Sequence, residues 1–234
     1  MLQSATLTTR QRRKQERPQE LLSAALALFV EKGFAATRSE EVAALAGVSK
    51  GTLYLYYPSK HDLFKEVVRH NLSALIAEGE GLVDGYLGST AELLECLMLT
   101  WWTRVGSTGA AGIHKIMISE ARNFPELAQF YTDEVIRPAD RLFTRTVRRG
   151  IERGEFRPVS GHESAVAHAL MAPMIFLSLC QHSIGACPVL DAGLTPAAVI
   201  RTQLDLMLRG LEVRAATDRN PPSRSPKKKE SHQA

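Results

Sequence analysis

The segment that most restricts the fold is residues 37–60, TRSEEVAALAGVSKGTLYLYYPSK, which carries the signals of two short helices and a tight turn. In the first helix Val42 and Leu45 stand three residues apart among alanines, so one side is apolar and another helix can cross it closely. Gly47 then ends that helix, because glycine readily adopts the left-handed backbone found after many helix ends. The segment therefore predicts two helices that meet at a sharp turn.

The second of these helices is predicted over residues 50–57. Ser49 stands directly before it and is suited to accept a hydrogen bond from a free backbone N–H of its first turn. Pro58 ends the helix, since the residue before a proline is pushed out of the helical region. Leu53 and Tyr57 are four residues apart and are expected to pack inward on one face.

The other side chains of this second helix form a polar surface with a basic end. This surface suits contact with phosphates and base edges, because it has a cation at the helix N-terminus, hydroxyl groups along its length and a glycine without a side chain. The residues concerned are Lys50, Gly51, Thr52, Tyr54 and Tyr56. This is the helix-turn-helix pattern, with the second helix in the position that reads DNA.

The run GVSKGTLYLYYPSKHDLF, with Gly33-Phe34-x-x-Thr37 before it, resembles the DNA-binding signature of the TetR family of bacterial repressors. The resemblance extends over residues 17–68. It implies an all-α protein with an N-terminal three-helix helix-turn-helix DNA-binding domain and a larger C-terminal helical ligand-binding and dimerisation domain. Leu55 departs from the family pattern, in which a polar or aromatic residue is common at this position.

The resemblance also extends the set of predicted DNA contacts beyond the second helix. Lys60 lies at the start of the next helix, where free N–H groups favour phosphate, and the family commonly contacts the DNA backbone there. The predicted DNA-binding residues are Thr37, Arg38, Ser49, Lys50, Gly51, Thr52, Tyr54, Tyr56 and Lys60. The predicted domains are a flexible basic arm (1–16), the helix-turn-helix domain (17–64), the ligand-binding and dimerisation domain (65–213) and a disordered basic tail (214–234).

Basic charge is concentrated at the two ends of the chain. Residues 1–60 carry nine Lys/Arg and five Asp/Glu, residues 214–234 carry six and two, and residues 61–213 carry fourteen and eighteen. Basic surface around a helix-turn-helix fits a polyanionic partner, because neutralised phosphates release counterions. The disordered arm of residues 1–16 is expected to lie along DNA, or else to be a solubilising tail without defined contacts.

Apolar spacing predicts helices along the rest of the chain. The first is expected to begin near Pro18, a residue favoured in first helical turns, and to end at Gly33. A helix over residues 59–78 is expected to link the two domains mechanically. Three glycines are expected to loosen the end of that helix: Gly79, Gly81 and Gly85.

The C-terminal half is apolar enough to hold a ligand, although a Met and aromatic stripe at helical spacing is also typical of plain core. The predicted pocket residues are Trp101, Trp102, Met117, Tyr131, His168, Met171 and Met174, with Arg104, His114 or Gln181 as further polar candidates. The family resemblance implies that the last two helices, over residues 162–184 and 195–211, form a four-helix interface with a second subunit. Burial within one chain is the alternative.

Several other classes of protein are disfavoured by the sequence. No apolar run reaches the roughly 20 residues that span a bilayer, and the N-terminus lacks a signal-peptide core, so a cytoplasmic protein without membrane contact is expected. Cys180, His182 and Cys187 lie close in sequence, but they lack a zinc-like spacing and a fourth ligand, so neither a metal nor a cofactor is predicted. No GxSxG nucleophile elbow, phosphate-binding glycine loop, HExxH motif or paired-carboxylate arrangement stands out, so an enzyme is not expected.

These observations predict a homodimeric transcriptional repressor that binds a palindromic operator in double-stranded DNA. Its two recognition helices would enter successive major grooves about 34–36 Å apart. A small-molecule effector of unknown identity, bound in the C-terminal domain, would release it from DNA. The alternatives are an enzyme and an architectural DNA-binding protein without a ligand. The long apolar C-terminal half disfavours the architectural protein, because DNA compaction does not require it.

Overall fold

The computed structural model describes residues 9–184 and 193–211. In this part of the chain the secondary structure is helical and contains no strand, as the sequence predicts for an all-α protein. The helices are α1 Thr9–Lys32, α2 Ser39–Leu45, α3 Lys50–Tyr56, α4 Lys60–Val68, α5 Ala74–Gly85, α6 Thr90–Trp101, α7 Gly112–Glu120, α8 Pro125–Tyr131, α9 Arg137–Glu152, α10 Glu163–Leu179 and α11 Pro196–Leu211. A 3-10 turn, Gly109–Ala111, precedes α7.

Helix α1 begins earlier than its proline predicts. It runs from Thr9, and Pro18 lies inside it. Proline removes one backbone donor, and a helix of 24 residues continues past that loss with its remaining bonds. Residues 9–16, predicted to be part of a disordered arm, are therefore helical, whereas residues 1–8 and the predicted tail of residues 214–234 lie outside the described residues.

The first four helices pack around aromatic and leucine side chains. Phe29, Phe34 and Phe64 are fully buried and meet at ring-centroid distances of 5.2–5.6 Å. Helix α2 contributes Val42 to this core, but Leu45 is 58% exposed. Leu45 lies in the last turn of α2, where the chain leaves the core, so the predicted apolar pairing of these two residues is only half realised.

The predicted linking helix is longer than expected. Helices α4 and α5 form one helical run to Gly85, joined by a wider π-helical turn, Arg69–Ser73. The glycines predicted to loosen it lie within α5 or at its end. Gly79 allows a close packing contact, because a Cβ placed there would come within 2.9 Å of the Leu142 side chain of α9.

Helices α6, α9, α10 and α11 build a second core further along the chain. Buried leucine, methionine and phenylalanine side chains from these helices meet there: Leu93, Leu94, Met98, Phe143, Leu170, Met174, Ile200 and Leu204. Pro138 lies at the start of α9, directly after a second π-helical turn, Thr132–Ile136. Two further π turns are Trp102–Gly106 and Cys180–Ile184.

One helix of the described chain, Glu163–His182, is long and apolar enough by length and composition to cross a bilayer. This corrects the sequence-based statement that no run reaches that length. About one third of its apolar window is buried inside the protein. The same combination of length and apolarity occurs in helices of soluble proteins that are covered by other protein surfaces, so it is weak support for a membrane span.

Candidate DNA-binding surface and ligand cavity

Local hydrogen bonds hold α3 in the position predicted for it. The Ser49 hydroxyl accepts a hydrogen bond from the backbone N–H of Thr52 at 3.1 Å, which confirms the predicted cap. Gly47 adopts a positive φ of +66° in the turn before it, also as predicted. Leu53 and Tyr57 are buried and anchor the inner side of the helix, so its outer side is held towards solvent.

The outer side of α3 presents Lys50, Gly51 and Tyr54 together. Lys50 pairs with Glu40 of α2, and this hydrogen bond raises the pKa of the ammonium group. A Cβ added at Gly51 would meet only the Ser49 hydroxyl, at 3.8 Å, so packing within the protein does not require glycine there. Leu55 is 85% exposed on this surface and gives it one large apolar side chain.

The predicted residues that flank this surface differ in exposure. Arg38 is exposed and precedes α2, where its backbone N–H donates to the Glu41 carboxylate at 3.1 Å. Tyr56 is half-buried and packs on the first core, and Thr52 is also half-buried, with its hydroxyl 2.9 Å from that of Ser49. The structure thus brings most of the predicted DNA-binding residues to one side of the protein.

Thr37 and Lys60 depart from the role that the sequence predicts for them. Thr37 is only 1% exposed, and its hydroxyl donates to the carbonyl of Gly33 at 2.7 Å. The Lys60 ammonium group donates to three carbonyl oxygens, those of Phe34 (2.9 Å), Ala35 (3.0 Å) and Thr37 (3.0 Å). Because an ammonium group has three donors, none is left for phosphate in this conformation. Both side chains close the turn between α1 and α2.

A cavity of about 520 Å³ lies between the linking helix and the C-terminal helices. Its size falls in the range of small-molecule sites, about 300–1,000 Å³. Its walls are mostly apolar and come from α5, α6, α7, α8, α9, α10 and three π turns. Its lining residues include Leu72, Glu78, Trp101, Val105, His114, Tyr131, Val135, His168, Met171 and Met174.

Five of the predicted pocket residues line this cavity: Trp101, Tyr131, His168, Met171 and Met174. Trp102 and Met117 do not line it and pack in the second and first core, respectively. Neighbouring residues on a helix point about 100° apart, so Trp101 and Trp102 cannot share one wall. Leu72 and Leu75 also line the cavity, although the predicted pocket residues include none from the linking helix.

Three of the π-helical turns meet at the cavity. Leu72 comes from the first of them, Val105 from the turn Trp102–Gly106 and Val135 from the turn Thr132–Ile136. A π turn widens the helix locally, and such turns occur often at functional sites. The widened helices leave space where regular helices would pack more closely.

The main polar group inside the cavity is a histidine–tyrosine pair. His114 Nδ1 lies 2.5 Å from the Tyr131 hydroxyl, and both side chains are buried. Burial lowers the pKa of His114 to about 4 and raises the pKa of Tyr131, so both groups are neutral near pH 7. The other ring nitrogen of His114, Nε2, is buried without a hydrogen-bond partner among the described residues.

Charged groups stand at the rim of the cavity. Glu78 forms an ion pair with Arg104. This arginine, considered above as a polar contact for the ligand, is therefore already paired with a carboxylate. His168 is exposed, with Nδ1 3.3 Å from an Asp140 carboxylate oxygen. The lining residues at the rim therefore include one carboxylate, which Arg104 balances, and a histidine that has the Asp140 carboxylate beside it.

Helices α7 and α8 connect the cavity with the helix-turn-helix. Helix α7 carries His114 at the cavity and Glu120 at its other end, where Glu120 accepts a hydrogen bond from the Ala35 N–H at 3.0 Å. Phe124, just before α8, stacks edge-on against Phe34 at 4.8 Å. These contacts fall on the turn that Thr37 and Lys60 close.

The cysteine and histidine run does not form a metal centre in the described part of the chain, where no group of three candidate ligands lies together. His182 Nε2 lies 3.2 Å from the Gly106 carbonyl oxygen. Cys187 lies outside the described residues.

Comparisons with known sequences and structures give the family of this fold. The profile described as "Bacterial regulatory proteins, tetR family" matches residues 21–67, and "Tetracyclin repressor-like, C-terminal domain" matches residues 87–185. The HTH-type transcriptional repressor KstR2 of Mycobacterium tuberculosis is 31% identical over 144 residues, which cover 59% of this chain and 68% of KstR2. The chain belongs to the TetR family.

Solved structures of TetR-family proteins share this architecture at low sequence identity. A TetR-family regulator from Mesorhizobium loti is 20% identical and matches with a TM-score of 0.67, over 86% of this chain and 99% of that one. FadR of Bacillus subtilis, solved in complex with stearoyl-CoA, is 16% identical and matches with a TM-score of 0.63, over 82% of this chain and 98% of FadR. As a TetR-family member, the chain is a DNA-binding transcriptional regulator and not an enzyme.

Proposed function

We propose that this TetR-family regulator is a homodimeric repressor that binds a palindromic operator and leaves it when a small molecule fills the C-terminal cavity. The observation that carries the proposal is the position of the cavity. Its walls include His114 of α7 and Tyr131 of α8, and these two helices contact the turn before the helix-turn-helix. A ligand in the cavity thus touches the same elements that support the DNA-binding surface.

The exposed surface of the last two helices supports a dimer. On α10 the residues Ala165, Ala169, Ala172 and Phe176 are exposed and follow each other at helical spacing. On α11 Leu206 is 66% exposed. Contiguous apolar surface of this kind is typical of protein–protein interfaces, and a second copy of the chain is the partner expected for it, because closed two-fold dimers are the commonest soluble oligomers.

The coupling required for release is modest. A change in DNA affinity of 5- to 150-fold corresponds to about 1–3 kcal/mol of coupling free energy between ligand and DNA. A rearrangement of the contacts between Glu120 and the turn at Ala35, or of contacts within the linking helix, changes the free energy by an amount of that size. The linking helix is a second route, because Leu72 and Leu75 contact the cavity and α4 packs on α1.

The operator proposal is tested by DNA binding of the purified protein at near-physiological salt with excess competitor DNA. We expect saturable binding to a short palindrome, lost in the double variant Lys50→Ala/Tyr54→Ala and kept in Lys115→Ala, a lysine exposed on α7. Binding that the competitor removes from every genomic fragment tried would refute the proposal.

The dimer proposal is tested by molecular mass in solution. We expect Leu206→Glu to weaken the dimer, because it places a charge in a surface that must be desolvated. Leu87→Glu is the matched control, since Leu87 is 94% exposed and belongs to the loop between α5 and α6, not to α10 or α11. Equal masses for both variants, each that of two chains at the same low concentration, would count against this interface.

A further inference from the structure

The charged side chains around the cavity bear on the class of ligand that it can hold. Glu78 is the charged residue among its lining side chains, and none of the described lining residues is a lysine or an arginine. Asp140, which does not itself line the cavity, adds a second carboxylate beside the lining residue His168. An anionic ligand would meet the Glu78 carboxylate and no lining lysine or arginine, because the nearby Arg104 is already paired with Glu78, and an unpaired charge is unfavourable against apolar walls.

The direction of the hydrogen bond between His114 and Tyr131 determines which N–H or O–H group of the pair lacks an acceptor. If the Tyr131 hydroxyl donates to Nδ1, the only unsatisfied group of the pair is an Nε2–H donor. If Nδ1 instead donates to the tyrosine oxygen, two groups lack partners among the described residues, the tyrosine O–H and the Nε2 lone pair. Since buried polar groups are almost always paired, the first arrangement is favoured.

Nε2 lies within the cavity wall. Its accessible surface is essentially zero, although the His114 ring borders the cavity. The indole of Trp101 lies against this imidazole, with ring centroids 5.9 Å apart and planes tilted by 34°. Because Nε2 is covered in this structure, a ligand can reach it only if a neighbouring side chain moves, and the half-buried Trp101 indole, which also lines the cavity, is the neighbour that we expect to move.

We propose that the effector is an uncharged, largely apolar carbonyl compound whose carbonyl oxygen accepts a hydrogen bond from His114 Nε2–H. This inference rests on the proposed function, because it names the class of ligand that the same cavity takes. The apolar walls bury the body of the ligand, and His114 fixes its orientation. Tyr131 acts through His114 by holding Nδ1 as an acceptor, so it is a positioning residue.

The test uses the full-length protein and three matched probes in competition with a bound hydrophobic dye. The probes are undecan-2-one, 2-methylundec-1-ene, in which C=CH2 replaces C=O, and decanoate, which is anionic. Leaving a buried donor unpaired costs about 1–3 kcal/mol, equivalent to a factor of about 5–150 in affinity. We therefore expect the ketone to bind at least about fivefold more tightly than the alkene and more tightly than decanoate.

Two further measurements separate recognition from a merely structural role of His114. The infrared carbonyl stretch of 13C-labelled undecan-2-one should move to lower wavenumber on binding, as expected for a hydrogen-bonded carbonyl. In His114→Phe, which keeps an aromatic ring beside Trp101 but has no donor, the shift and the preference over the alkene should both vanish. If that variant does not fold, the probe preference and the infrared shift of the wild-type protein still decide the question.

Equal affinity for ketone and alkene, or tighter binding of decanoate, would overturn the proposal. These binding measurements contain no DNA, so they are independent of the repressor proposal. If the ketone is preferred but does not release the protein from its operator, the proposal of ligand-induced release is wrong and the proposed class of ligand is supported. If release occurs with decanoate and not with the ketone, the cavity has been assigned the wrong chemistry.

Discussion

Replacing Lys60 by methionine distinguishes a structural role of this lysine from the phosphate contact predicted from sequence. Its ammonium group donates to the carbonyl oxygens of Phe34, Ala35 and Thr37 at 2.9–3.0 Å. Methionine keeps an apolar stem of similar length but offers no donor. The substitution therefore leaves three carbonyl oxygens in the turn between α1 and α2 without their protein partner.

The expected loss of stability follows from these three bonds. A hydrogen bond to a charged group contributes about 1.5–3 kcal/mol, and water can replace the ammonium group at the exposed Ala35. Counting the two half-buried bonds, to Phe34 and Thr37, at the low end of this range gives about 3 kcal/mol. For a chain of this size, that corresponds to a decrease of about 6–12 °C in Tm.

The assay is thermal unfolding at one fixed protein concentration, paired with operator affinity as a function of salt. Lys115→Met is the control, because it removes an exposed lysine from α7. We expect the Tm of Lys60→Met to fall and the salt dependence of its DNA binding to stay as in the wild type. An unchanged Tm, with a slope of log affinity against log salt reduced by about 0.9 per subunit, or about 1.8 for a dimer, would refute this reasoning and favour the phosphate contact.

Three further predictions concern buried groups. Thr37→Val should lower the free energy of unfolding by about 1–3 kcal/mol in urea titrations, because it leaves the half-buried Gly33 carbonyl without its hydroxyl donor. The pKa of His114 is lowered to about 4 in the folded protein, against about 6.5 in an unfolded chain, so the unfolded state binds the extra proton. The contribution of neutral His114 to the free energy of unfolding should therefore be fully present above pH 6.5, and it should fall by up to about 3 kcal/mol as the pH drops towards 4. His114→Phe should flatten this dependence of stability on pH, whereas exposed His168→Phe should not. Gly150→Ala should lower the Tm, at a cost of about 1–3 kcal/mol, because its Cβ would lie 2.2 Å from the Phe156 ring; an unchanged Tm would mean that the ring has room to move.

Features set by neighbouring residues were predictable from the sequence. The cap at Ser49 and the positive φ at Gly47 depend on backbone geometry within a few residues, and both are confirmed. The cap at Ser59, whose hydroxyl accepts from the Asp62 N–H at 3.0 Å, depends on neighbouring residues in the same way. The all-α fold and the helix-turn-helix followed from such local signals.

Features that depend on distant partners were not predictable in the same way. Lys60 binds carbonyls 23–26 residues away, which a pattern of nearby residues does not contain. Trp101 and Trp102 have the same chemistry, and only the packing of α6 decides which of them faces the cavity. The early start of α1 was missed because Pro18 favours a first turn without requiring one.

The first core crosses the predicted domain boundary at residue 64. It joins Phe29, Leu53 and Phe64 with Ile113 and Leu127, which belong to α7 and α8. A fragment cut after residue 64 would expose the side chains that these two helices cover, and it would lack part of its hydrophobic core. A chimera that joins this DNA-binding domain to the ligand-binding domain of another regulator would therefore also need the faces of α7 and α8 that cover the first core. This requirement limits how freely the two halves can be recombined, in the laboratory or by evolution.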